Sequence, residues 1–126
     1  MLLSLPLLKG DRAMSTDFRM YQGDSKTLSI TVKDKDGDVV VITGATIKWQ
    51  ASRSYGKTAD ISKTTSSGIS ITDGPNGVFE VTLDASDTES LEGEYYHEAE
   101  ITFSDSTIST VLAGRMNITP VLIAAT

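Results

Sequence analysis

His97 is the only histidine of this chain of 126 residues, so any Ser-His-carboxylate triad or imidazole-bound metal must use it. Its neighbours alternate between apolar and polar types, the pattern of a strand with one side in a core, and a histidine there is expected to be partly buried and bonded to a neighbour rather than catalytic. Glu98 and Glu100 could be read as the carboxylate pair of a glycosidase. Two positions apart on one strand face they stand about 7 Å from each other, and their alternation with apolar residues is already explained by a solvent-facing side. Asp34, Asp36 and Asp38 match the first three ligand positions of a calcium loop, but Gly37 comes two positions too early and Ala45 stands where the bidentate glutamate belongs. The three aspartates therefore read as a solvated turn. Asp84, Asp87 and Glu89 read as first-turn residues of a short helix rather than a cation site.

No P-loop, nucleophile elbow or HExxH motif occurs, and the absence of cysteine removes thiolate chemistry, disulfides and sulfur-ligated metals together. The expectation is a protein that is not an enzyme, with no catalytic residue, no cofactor and no bound metal. Asn117-Ile118-Thr119 matches a glycosylation acceptor, a short pattern that carries little weight with Pro120 next. Seventeen acidic against eleven basic side chains give a net charge of −6, with no Lys/Arg cluster. Nucleic acid and anionic membrane surfaces are thus unexpected partners, because both demand a basic stripe.

The elements that would position these residues are strands. Hydrophobic residues at 39%, charged residues at 22% and ten glycines suit a single all-β domain with one core. Phe18–Tyr21 and Lys26–Lys33 read as the first strands, the second in strict period two through Leu28, Ile30 and Val32. Asp34–Asp38 predicts a hairpin turn, with Val39–Ile42 returning from it. Thr46–Ser52 places Ile47, Trp49 and Ala51 on one face, and Trp49 is expected across the core. Ser52–Thr58 reads as a loop and Ala59–Thr64 as an edge strand guarded by Lys63.

The most regular grammar runs from Gly68 to Tyr96. Ile69 and Ile71 precede a Gly74-Pro75-Asn76-Gly77 turn, Phe79, Val81 and Leu83 return, and Asp84–Leu91 predicts one helical turn between sheets. Tyr95, His97, Ala99, Ile101 and Phe103 should face inward. In Thr107–Thr119 the residues Ile108, Leu112, Met116 and Ile118 share a parity, and Gly114 marks a bulge or a close backbone approach. The predicted fold is an antiparallel β-sandwich of about seven to nine strands with one short helical turn. Its core contains Leu28, Ile30, Trp49, Phe79, Val81, Tyr95, Ile101 and Met116.

Residues 1–17 stand apart. The run Leu2–Leu8 is broken by Ser4 and Pro6, lacks a preceding basic residue and a cleavage site, and is too short to span a bilayer. It reads either as an apolar arm that docks on a neighbouring subunit through Leu2, Leu3, Leu5, Leu7 and Leu8, or as leader translated ahead of a start at Met14. The division is then 1–17 arm or leader, 18–119 sandwich and 120–126 tail.

Four pieces in order carry a family resemblance: Gln22-Gly23-Asp24; Asp36-Gly37-Asp38 with Ile42–Ile47; Gly77-Val78-Phe79 leading to Leu83–Thr88; and Gly93–Glu98. Together they resemble the N-terminal immunoglobulin-like domain of phage baseplate upper proteins and related small tail-module proteins. The resemblance implies an immunoglobulin-like sandwich and a non-enzymatic virion component, in tail, baseplate or neck, assembled in the bacterial host cytoplasm. Its partners would be other virion structural proteins, with a homo-oligomer or ring as the expected state. The family's receptor-presenting segments have no counterpart here, so an adaptor or decoration role is what carries over. The alternative is a carbohydrate- or cell-surface-binding module, for which Tyr21, Tyr55 and Tyr96 are the available aromatics.

Overall fold

A computed structural model describes residues 2–6, 16–34 and 36–123. The strands are β1 (Leu2–Pro6), β2 (Phe18–Tyr21), β3 (Lys26–Lys33), β4 (Thr46–Ser52), β5 (Ile61–Thr64), β6 (Ile69–Asp73), β7 (Val78–Leu83), β8 (Gly93–Thr102) and β9 (Ile108–Thr119). A 3₁₀ turn at Gly74–Asn76 joins β6 to β7, and one helical turn, α1 (Ala85–Thr88), carries the chain from β7 to β8.

The strands form two sheets, ordered β1-β3-β7-β6 and β2-β9-β8-β4-β5. Setting β1 and β2 aside, three strands in the order B-E-D face four in the order G-F-C-C′, which is the strand order of an immunoglobulin-like sandwich. Pairing is antiparallel except at two edges, where β1 runs parallel to β3 and β2 parallel to β9. Both exceptions come from the N-terminal residues, which enter the sandwich as edge strands of opposite sheets. Among the expected arm residues, Leu2, Leu3 and Leu5 lie in β1 opposite Ser29, Ile30 and Val32 of the same chain, while Leu7 and Leu8 lie outside the described residues.

The core is the sum of the inward parities. Leu28 and Ile30 of β3, Trp49 of β4, Phe79 and Val81 of β7, Tyr95 and Ile101 of β8, and Met116 of β9 are all buried. Burying an aromatic or aliphatic side chain of this size is worth about 1.5–3 kcal/mol. Two expectations need correction. Val39–Ile42 does not return as a strand: only an isolated bridge joins Val39 to Lys33, because the backbone turns away so that Ile42 N–H donates to the Gly74 carbonyl at 2.9 Å. Ile108 does not share the inward parity of β9 but is 60% exposed. Leu112 pairs with Ala99 while Thr110 pairs with Glu100, so Val111 is an extra residue and a bulge flips the side-chain alternation before it. Val111 and Leu112 are consequently both buried, as is Ser109.

Gly114 is not at the bulge but at a close approach. A Cβ there would lie 1.7 Å from the Thr16 carbonyl oxygen. The segment leading into β2 thus lies directly on β9, with Thr16 N–H donating to the Ala113 carbonyl and Arg115 N–H donating to the Asp17 carboxylate.

Candidate functional site

The acidic groups resolve into local turn chemistry. One oxygen of Asp34 accepts from the backbone N–H of both Asp36 and Asp38, each at 2.9 Å, an Asx turn that uses the carboxylate inside its own loop. Asp87 accepts from the Asp84 backbone N–H at 2.7 Å, closing the first turn of α1. It also pairs with Lys63 Nζ at 2.8 Å, tying edge strand β5 to the helical turn. Glu98 and Glu100 are exposed on β8 and face solvent. Among the described residues no group of three or more His, Asp or Glu side chains could hold a metal ion.

His97 sits two positions after Tyr95 on β8, the place where antibody domains carry the second cysteine of their inter-sheet disulfide, and Trp49 is the buried tryptophan of the C strand. Trp49 Nε1–H donates to His97 Nδ1 at 3.2 Å. An indole is a donor only, so Nδ1 is unprotonated and Nε2 carries the hydrogen, which it donates to the Thr16 carbonyl at 2.8 Å. The Phe18 ring packs edge-on against the imidazole at 5.0 Å. Burial pushes the His97 pKa below 6.5, and the Thr16 hydrogen bond and the charge of Asp17 only partly oppose it. Both ring nitrogens are committed to the core, so this imidazole joins strands and has no free position for proton transfer to a substrate.

The outer face of the five-stranded sheet gathers a different set. Register places Tyr96 between Ser52 of β4 and Arg115 of β9, with Gln50 opposite Glu98 one step along. The β4–β5 loop folds back over this row. Arg53 donates through its guanidinium to the Glu92 carbonyl and through its backbone to the Asp60 carboxylate, and Ser52 Oγ donates to the Ser54 carbonyl. The Arg53 guanidinium also lies 4.5 Å from the centre of the buried Tyr95 ring, fixing the start of the loop to β8. So held, the loop lays Tyr55 on Tyr96 with ring centroids 4.7 Å apart and planes inclined by 30°. A cleft of about 80 Å³ opens beside the pair, lined among others by Gln50, Ser54, Lys57 and Glu98.

Of the three tyrosines available for a binding surface, the fold therefore unites Tyr55 and Tyr96 and leaves Tyr21 elsewhere. Tyr21 borders a wider, open cleft of about 650 Å³ with Pro120, Val121, Leu122 and Ile123. Leu122 and Ile123 are 101% and 83% exposed, which makes this the most apolar exposed stretch among the described residues. Period two puts Gln50 and Arg115 on the solvent side of their strands but does not reveal that Arg115 stands opposite Tyr96 or that Gln50 lines the cleft beside it. No helix among the described residues is long and apolar enough to cross a membrane. No protein-family model matches the chain, and no curated protein matches it.

Proposed function

We propose that this chain is a non-enzymatic structural protein of a phage or prophage virion, an adaptor or decoration component of the tail, baseplate or neck that acts by docking on other virion proteins and on copies of itself. The observation that carries the docking part is the ledge formed by Tyr21, Val121, Leu122 and Ile123, where large apolar side chains stand in solvent at one end of the sandwich. A sandwich whose histidine is spent on its core, and whose Asp34 and Asp87 carboxylates are spent on turns, has surfaces to offer rather than chemistry. The phage assignment rests on the ordered motifs from Gln22 to Glu98 and on their resemblance to baseplate-type immunoglobulin-like domains.

The test is incorporation. Particles purified from an induced lysate should contain the chain at a fixed stoichiometry, and the double variant Leu122→Asp, Ile123→Asp should fold normally yet incorporate poorly. Absence of the wild-type chain from purified particles overturns the virion reading, and undiminished incorporation of the variant removes the ledge from the interface.

A further inference from the structure

We infer that the Tyr55–Tyr96 ledge is a carbohydrate-binding site, taking the apolar face of a pyranose on Tyr55 and its hydroxyl edge in the cleft beside it. This reading is independent of the virion proposal, since the ledge lies on the β4–β8–β9 face and the apolar end lies at Tyr21 and Leu122.

Tyr55 is stacked on one side and open on the other. One face of its ring is covered by Tyr96 at 4.7 Å, yet the residue is 65% exposed, so the other face is open to water. Held on Tyr96, the Tyr55 ring keeps that open face presented to solvent. Here Arg53, Asp60 and the Ser52–Ser54 turn fix the loop on both sides, and the Arg115 guanidinium lies 5.8 Å from the Tyr96 centroid on the sheet below. The stack is set before any ligand arrives, and pre-ordering lowers the entropic cost of binding.

The cleft beside the stack is lined by groups suited to a sugar rim. A pyranose offers a patch of axial C–H groups on one face and hydroxyls around its rim; the C–H groups carry slight positive charge and suit the negative face of an aromatic ring. The rim asks for groups that donate and accept in pairs. Gln50 does both, Glu98 accepts, Lys57 donates, and the hydroxyl of Ser54 does either. A cleft of about 80 Å³ has room for two or three waters, which are the groups that sugar hydroxyls replace. It is too small for a whole sugar ring, so the ring belongs on the ledge and only its edge enters.

The geometry disfavours peptide and polyion ligands on the same face. A proline-rich peptide needs successive slots between rings that stand side by side. Tyr55 and Tyr96 lie on one another and present one flat face, with no slot between them. The face also carries Glu94, Glu98 and Glu100 against Lys48, Lys57 and Arg115, a mixed field that steers neither polyanions nor polycations.

The experiment is a ¹⁵N-resolved NMR titration of the full chain with glucose, galactose, mannose, rhamnose and N-acetylglucosamine and with β-linked oligomers of glucose and N-acetylglucosamine. The expected result is saturable shifts at Tyr55, Tyr96 and the Gln50 side-chain amide with at least one of these sugars, in the millimolar range for monosaccharides. Tyr55→Ala should weaken that binding by about two- to tenfold, the factor that goes with losing one aromatic stack. Tyr55→Phe should retain it, Tyr21→Ala should leave it unchanged, and all three should melt close to the wild type. Three results each overturn the proposal: no saturable shift with any sugar of the panel, saturable shifts that map away from Tyr55, or equal affinity in Tyr55→Ala. So does a proline-rich peptide that shifts the same residues when no sugar does.

Discussion

The indole N–H of Trp49 donates to Nδ1 of His97 at 3.2 Å in a core where the two residues are 0% and 1% exposed. From there the imidazole donates onward to Thr16, so a single line of hydrogen bonds runs from β4 through β8 to the segment that precedes β2. In an antibody domain a disulfide beside the tryptophan staples the two sheets. In this cysteine-free chain the histidine occupies that strand position and bonds within its own sheet and to the N-terminal segment instead. The consequence is a fold whose tie can be titrated.

Stability should therefore fall as the solution is acidified through the histidine range. Folding lowers the His97 pKa below 6.5, so the unfolded chain binds the proton more readily. A base shifted in that direction contributes stability that is present above pH 6.5 and is lost as the pH falls from there towards the folded value. Melting midpoints recorded between about pH 7.5 and about pH 5 should decline, and His97→Gln should flatten that part of the curve. Because the chain has one histidine, a slope that survives in His97→Gln would assign it to carboxylates instead.

Trp49→Phe should cost more than the lost area implies. It leaves His97 Nδ1 as a buried acceptor without its donor, a penalty of about 1–3 kcal/mol. Trp49→Ala adds a large cavity and should cost about 3–5 kcal/mol. Urea unfolding of both variants checks the order, and a Phe variant as stable as wild type would show that the indole N–H contributes nothing.

Gly114→Ala should displace the N-terminal segment from β9. The new Cβ would stand 1.7 Å from the Thr16 carbonyl oxygen, which is backbone and cannot rotate away. A cost of about 1–3 kcal/mol is expected from overpacking, with faster amide exchange at Thr16 as its local mark. Gly44 is the control for backbone conformation: its φ is +78° and a Cβ there meets open space, so Gly44→Ala should cost about 1–2 kcal/mol without touching Thr16 exchange.

Asp87→Ala should loosen α1 and the β5 edge together. One carboxylate accepts from the Asp84 backbone at 2.7 Å and pairs with Lys63 at 2.8 Å, with side-chain exposures of 12% for Lys63 and 20% for Asp87. Loss of the capping bond is worth about 0.5–2 kcal/mol, and the ion pair adds a smaller, salt-dependent part. Lys63→Met should lose only the salt-dependent part; equal losses in the two variants at high salt would contradict this division.

Calcium should leave the melting temperature unchanged at millimolar concentration. The Asp34 carboxylate is already engaged by the backbone N–H groups of Asp36 and Asp38, and ligating a cation would require breaking that turn. A rise of several degrees would show that the aspartates of the turn bind the ion.

Alternation along the chain determined most of the strands and which residues they bury. Lys26–Lys33 and Thr46–Ser52 follow the polar-apolar rhythm to the residue, Trp49 and Phe79 lie where that rhythm puts them, and the Asp84–Leu91 link forms its helical turn. Such features are legible because side-chain direction, capping and turn chemistry depend on neighbours within a few positions. Partners far apart in the chain were decided only by tertiary structure. The bulge at Val111 is a matter of how β9 registers on β8, so Ile108 turned outward although its spacing placed it inside. His97 bonds to Thr16, 81 positions away, and Tyr55 lies on Tyr96 because Arg53 and Asp60 bend a loop back across the sheet. Alternation tells which face a side chain takes, whereas the neighbour it meets there is chosen by the packing of the whole core.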